Sequence, residues 1–176
     1  RGWEPVDGVE ERLNSFLDLA WPAMTDLGLP EEADRENFVV CETIEQAIKG
    51  ACLVQENAPE RLELKMDLLA ELDTICSSDV VIASSTSGYL ISDMTERCKK
   101  YPERVVVGHP FNPVYLLPLV EVVGGPNTSP KSLMKAQEIY ESTGKLVLRL
   151  DKEVDGFVSD RLQEAMWREA LHMVAN

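Results

Sequence analysis

His109 and Glu121 are the residues of this sequence best suited to move a proton. They lie in the stretch GHPFNPVYLLPLVEVVGG (Gly108–Gly125), where they are the one basic and the one acidic side chain. Prolines at 110, 113 and 118 forbid a single helix, so the stretch reads as two extended segments joined by a stiffened turn. A hairpin would bring a His at the end of one strand within reach of a Glu on the returning strand. A carboxylate on one imidazole nitrogen fixes the tautomer and raises the basicity, leaving the second nitrogen to take a proton. Asn112 adds a neutral donor and acceptor beside the ring. On residue types alone the stretch also reads as a turn with a capped His and an exposed Glu, and both readings stand at this point.

A second chemical group is ASSTSG (Ala83–Gly88), which follows a run of buried-strand character. Ligands of open α/β sheets bind at the carboxyl ends of strands. Small hydroxyl residues there offer donors for a substrate oxygen or a cofactor amide. An ordinary strand-to-helix turn, capped by Thr86 or Ser87, would use the same residues.

These groups need elements that deliver strand ends to one place. Apolar spacing at Leu13, Phe16, Leu17 and Ala20 predicts a helix over 10–27, bent by Pro22. A short strand is expected at 38–40, then a helix over 44–49 capped by Thr43 and stopped by Gly50. Residues 52–54 read as a strand. A long helix is expected from Ala58–Pro59 to about Ile75, with Leu62, Met66, Leu69 and Leu72 on one face. Strand 79–83, a helix near 90–98 and strand 104–107 follow, and the returning half of the opening stretch is a strand at 119–123. Ser129–Pro130 starts a helix that Gly144 ends, 145–150 is the last strand, and a final helix follows Gly156. Strand–helix alternation with short connections defines an α/β fold with a mostly parallel sheet.

The final helix is apolar at Phe157, Val158, Leu162, Ala165, Met166, Ala170, Leu171 and Val174, a face too wide to leave in water. The sequence opens on RGWEP without a start methionine. The chain therefore reads as a piece of a longer protein.

Net charge is −14, which argues against nucleic acid and anionic membranes as partners and suits a cationic ligand. No apolar run reaches the length of a membrane span. Cys41, Cys52, Cys76 and Cys98 show no CxxC spacing and read as thiols, mostly buried, in a reducing cytoplasm. With two His in the chain, the sequence points to no metal site.

The ordered motifs QENAPE (55–60), SSTS (84–87), HPFNP (109–113), LVEV (119–122) and DGFVSDRL (155–162) resemble the 3-hydroxyacyl-CoA dehydrogenase superfamily along essentially the whole chain. The resemblance implies a Rossmann-type domain that binds NAD. It implies His109 as the catalytic acid/base, Glu121 as its partner, and Ser87 at the substrate oxygen and the cofactor. Asn112 would lie near the nicotinamide, and Glu60 and Lys65 would line the cofactor site. Glu4 falls where the family has the acid of the adenosine ribose, although an exposed turn residue is an equal reading. The family's GxGxxG is absent from the sequence. The resemblance explains this as an N-terminal truncation. Residues 1–154 would be a partial NAD-binding domain, and 155–176 the first helix of a helical domain that dimerises and closes the cleft. Asp160 stands where acyl-CoA members carry Asn and is the candidate for substrate choice. Together with the motif 108–125 and WREALH (167–172), it makes the chain most similar to the branch that oxidises L-carnitine. Gulonate or 3-hydroxyacyl-CoA substrates and a non-catalytic crystallin-like role are the alternatives.

Overall fold

The computed structural model describes all residues, 1–176. They divide into two units, one of residues 1–51 with 111–118 and one of residues 52–110 with 119–176.

The first unit carries α1 (Val9–Asp26), a 3-10 turn (Arg35–Asn37) and α2 (Ile44–Ile48). Pro22 lies inside α1, and the Thr43 hydroxyl caps α2 by accepting from the Gln46 amide. The expected strand at 38–40 is a single parallel bridge between Gly2 and Val40. The 3-10 turn ends at Asn37 and the α2 cap begins at Thr43, so few residues remain to pair. On the partner side the chain soon reaches Pro5, which has no N–H to donate.

The second unit holds the sheet: β1 (Leu53–Glu56), β2 (Val81–Ser84), β3 (Val105–Pro110), β4 (Leu119–Val123) and β5 (Leu146–Leu150), in that spatial order. All pairs are parallel except β3–β4, which is antiparallel. The connecting helices are α3 (Leu62–Ile75), the one-turn α4 (Ile91–Met94) and α5 (Pro130–Ser142), and α6 (Ser159–Ala175) ends the unit.

Strand residues alternate between faces, so the register assigns each side chain a side. Val81, Ala83, Val106, Val120 and Val122 pack with Leu133, Ala136 and Tyr140 of α5 in one buried cluster. Glu56, Ser84 and Val107, paired in register, point the other way, and His109 and Glu121 share their side. On that side α3 and α4 pack on the sheet and bury Met66, Leu69, Leu72, Ile91 and Met94.

Two helices differ from expectation. α3 starts at Leu62, because residues 57–61 serve Glu56 and Lys65 instead. The Ala58 amide donates to the Glu56 carboxylate, and the Ala58 carbonyl accepts from Lys65 Nζ at 2.9 Å. α4 is a single turn, and the chain that follows it is held by the buried Asp73 carboxylate. It accepts from the amides of Lys99 (3.0 Å), Lys100 (2.7 Å) and Tyr101 (2.9 Å). Arg104, also buried, donates to Asp73 Oδ1 at 3.3 Å and to the carbonyls of Asp73, Cys76 and Ser77. This knot ties the end of α3 to the chain entering β3.

α6 buries none of its residues: Leu162, Met166, Trp167, Leu171 and Val174 are all more than half exposed.

Candidate active site

His109 and Glu121 face each other across the antiparallel pair, with His109 Nδ1 2.9 Å from Glu121 Oε2. Glu121 is fully buried and His109 is 8% exposed, so the pair lies at the edge of solvent. The second carboxylate oxygen accepts from the amides of Val158 (3.0 Å) and Ser159 (2.9 Å), where α6 begins. Burial alone would raise the Glu121 carboxyl. The bond from His109 and the Ser159 and Val158 amides outweigh it and hold the group below its ordinary value, as a carboxylate. A carboxylate can only accept, so Nδ1 carries the proton in this bond and Nε2 is the ring nitrogen without one. Phe157, buried and at φ 50°, sets its ring 5.7 Å from the imidazole, tilted by 57°. The sequence pointed to the dyad and to DGFVSDRL as a motif, but not to the bonds from the Val158 and Ser159 amides to Glu121, since backbone amides carry no residue-type signal.

Ser87 follows β2 as His109 ends β3, so both stand at the carboxyl ends of adjacent parallel strands. The loop after β2 is held by Glu60. Its Oε1 accepts from the Thr86 hydroxyl and, at 3.3 Å, from the Ser87 amide. Thr86 in turn accepts from the amide of Tyr89 at 3.0 Å. Lys65 has no exposed surface. Its Nζ reaches Glu56 Oε1 and Oε2 at 3.0 and 3.1 Å and Glu60 Oε2 at 3.4 Å. Ser84 donates to Glu56 Oε2 at 2.5 Å. Of the Glu60–Lys65 pair, Glu60 alone presents a side chain to solvent, 44% exposed.

Three candidates remain. Glu4 is half exposed and paired with Arg12 in the first unit. Asn112, joined to Pro113 by a cis peptide bond, falls in segment 111–118 of the same unit. Asp160 stands in the first turn of α6, next to Ser159, on a concave surface with Gln163, Glu164 and Trp167.

The donor set suits the nicotinamide half of a dinucleotide. An exposed carboxylate, a hydroxyl loop and an imidazole gather where three strands end, the usual ligand edge of such a sheet. Lys65 is sealed beneath Glu60, so its charge is not directed outward. The glycine-rich partner of a pyrophosphate is not in the sequence.

Sheet order, register and site together define a Rossmann-type dehydrogenase domain, with an antiparallel hairpin bearing the His–Glu pair. The profile of "3-hydroxyacyl-CoA dehydrogenase, NAD binding domain" matches residues 30–154, and the chain belongs to that family, whose cofactor is NAD. It is 53% identical over 174 residues to the L-carnitine dehydrogenase of Streptomyces coelicolor, covering 99% of this chain and 54% of that protein. It is 49% identical over 172 residues to the L-carnitine dehydrogenase of Pseudomonas putida, covering 98% of this chain and 53% of that protein. The chain thus spans about half the length of the curated relatives it matches. Among solved structures it resembles 5-formyl-3-hydroxy-2-methylpyridine 4-carboxylic acid 5-dehydrogenase, described as an NAD+ dependent dismutase. The TM-score is 0.89 at 33% identity, over 98% of this chain and 56% of that one. Escherichia coli 3-hydroxybutyryl-CoA dehydrogenase superposes with a TM-score of 0.81 at 27% identity, over 98% and 37% of the two chains.

Proposed function

We propose that this chain is the nucleotide-binding part of an enzyme that oxidises the 3-hydroxyl of L-carnitine to 3-dehydrocarnitine with NAD. The observation that carries the chemistry is the His109–Glu121 bond, anchored on its far side by the start of α6. His109 takes the hydroxyl proton at Nε2, and Glu121 stabilises the imidazolium that forms. NAD, when bound, supplies the hydride acceptor. Ser87 holds the substrate oxygen as its charge develops, Asn112 orients the ring of the cofactor, and Glu60 holds the loop that carries Ser87. Glu4 and Lys65 belong to the cofactor side of this reading, the first directly and the second through Glu60. The domain boundary falls between residues 154 and 155, and the full-length protein is a homodimer.

The relatives support carnitine as substrate, and so does the site's chemistry. Asp160, Glu164 and Trp167 put two carboxylates and an indole on one face of α6, next to the dyad's anchor. A trimethylammonium group has no N–H to donate and is held by aromatic faces, at about 0.5–2 kcal/mol each, and by nearby carboxylates. The test is kcat/KM of the full-length protein with NAD for L-carnitine, gulonate and a 3-hydroxyacyl-CoA. Carnitine leads by at least about tenfold, which is about 1.4 kcal/mol of transition-state preference. An equal or higher rate with either rival moves the protein to a sister activity. NADH binding without turnover of any of the three marks a structural role.

A further inference from the structure

β3 outruns its neighbour. The β2–β3 register ends at Ser84–Val107, whereas β3 continues against β4 through Gly108, His109 and Pro110. On the β2 side, therefore, no strand supports the peptide that carries His109. A side chain from two strands away fills this place. Gln55 of β1 lies in register with Ala83, which lies in register with Val106. Its amide passes over this small residue, and Nε2 donates to the Gly108 carbonyl at 3.0 Å. Gln55 Oε1 accepts from the Tyr140 hydroxyl of α5.

The directions of these bonds are fixed. The Gly108 carbonyl can only accept, so the amide nitrogen must face it. That leaves the amide oxygen for Tyr140, whose hydroxyl must then donate. Tyr140 is 9% exposed within the α5 cluster, and burial pushes its phenol well above the ordinary value, so the proton stays available. The approach is close enough to dictate residue 108. A Cβ there would lie 1.9 Å from the Tyr140 hydroxyl and 2.8 Å from Cζ, so only glycine fits beneath the ring.

We infer that Tyr140 and Gln55 are positioning residues for His109: a relay from the Tyr140 hydroxyl through the Gln55 amide holds the Gly108 carbonyl, and with it the peptide on which the imidazole is mounted. This rests on the assignment of His109 as the base. Glu121 fixes the ring from β4, and the relay fixes its peptide from the opposite side. Neither Gln55 nor Tyr140 faces the side of the sheet that holds the dyad, so they act only through Gly108.

The test uses Gln55→Leu, Tyr140→Phe and the double variant in the full-length protein, with Lys131→Ala as a remote control. Steady-state rates and the ring 15N signals of His109 are both recorded. Tyr140→Phe keeps the buried ring and lowers kcat about tenfold, with KM for NAD within twofold of the parent. The double variant is no slower than Gln55→Leu alone, because both break one relay. The His109 ring signals shift or broaden in all three variants but not in the control. Unmoved ring signals in both Gln55→Leu and Tyr140→Phe overturn the relay. Moved signals with kcat unchanged overturn instead the assignment of His109 to proton transfer.

Discussion

Glu121 and Ser159 are joined through the carboxylate oxygen that His109 does not use: Oε1 accepts the Ser159 amide at 2.9 Å while Oε2 faces His109. One side chain therefore fixes both the imidazole and the start of α6. Glutamine cannot replace it. With its oxygen toward the amides of Val158 and Ser159, its NH2 meets Nδ1 and demands the wrong tautomer. With the oxygen toward Nδ1–H, two backbone donors meet an NH2.

In the full-length protein His109→Ala is expected to lower kcat by about 10²–10⁴, the range for loss of a general base. Glu121→Gln is expected to cost less, roughly 10–10²-fold, and to alter the acid limb of the rate profile, where protonation removes His109 as a base. Stopped-flow NADH absorbance against pH reads both. Activity near the parent level in His109→Ala means that the proton goes elsewhere.

Asp73 gives a prediction about acid. Burial alone would raise its carboxyl, but the Lys100 and Tyr101 amides and the Arg104 guanidinium hold it below its ordinary value of 3.8. A depressed folded value means that the stabilisation is fully present above the unfolded value and is lost as pH falls below it. Asp73→Asn leaves the Arg104 charge short of its counter-ion, at a cost of about 3 kcal/mol near neutral pH. Urea unfolding of parent and variant should show this gap closing below about pH 4. A gap independent of pH would mean that the damage is steric.

Much of this layout is legible in the residues. The prolines of 110–118 and the apolar residues at 105–107 and 119–123 mark the hairpin, and its pairing follows from alternation, which is why His109 and Glu121 could be matched. Thr43 was legible as a cap and Ser129–Pro130 as a helix start because their signal is local. What escaped depends on partners distant in sequence. The helix at 58 begins four residues late because Glu56 and Lys65, buried together, claim the intervening backbone. The chain beyond the one-turn helix near 90 is held by Asp73, more than twenty residues earlier, which takes the amides of Lys99 and Lys100. Gln55 and Tyr140 look like an unremarkable strand residue and a core aromatic until the fold sets one against the other over Gly108.

The cysteines separate by burial. Cys52 is exposed, Cys41 intermediate, and Cys76 and Cys98 are buried. Burial raises the Cys76 thiol and pushes Cys98 up to about 11, so neither offers appreciable thiolate near neutrality. Iodoacetamide at pH 8 should label Cys52 first and Cys41 more slowly, and reach Cys76 and Cys98 only after unfolding. Mass spectrometry of the digested native protein reads the order. Early labelling of Cys98 would show that the α4 side of the sheet opens.

Lys65 and Glu56 form an ion pair with neither side chain exposed, closed by the Ser84 hydroxyl and the Ala58 carbonyl. Removing one partner strands the other charge in the interior, whereas removing both leaves only polarity to satisfy. Lys65→Met is therefore expected to destabilise the protein by about 3–5 kcal/mol, and Lys65→Met with Glu56→Gln by clearly less. Lys65 also reaches Glu60, which holds the Thr86 hydroxyl and the Ser87 amide. The double variant should recover stability without recovering full activity, because Glu60 has lost its buried cation and the Ser87 loop its fixed support. Calorimetry and steady-state rates on the same samples separate the two effects. A double variant as unstable as Lys65→Met would show that the loss comes from the ammonium's bonds to the Ala58 carbonyl and Glu60, not from a stranded Glu56 charge. Full activity in the double variant would show that Glu60 holds the Ser87 loop without help from Lys65.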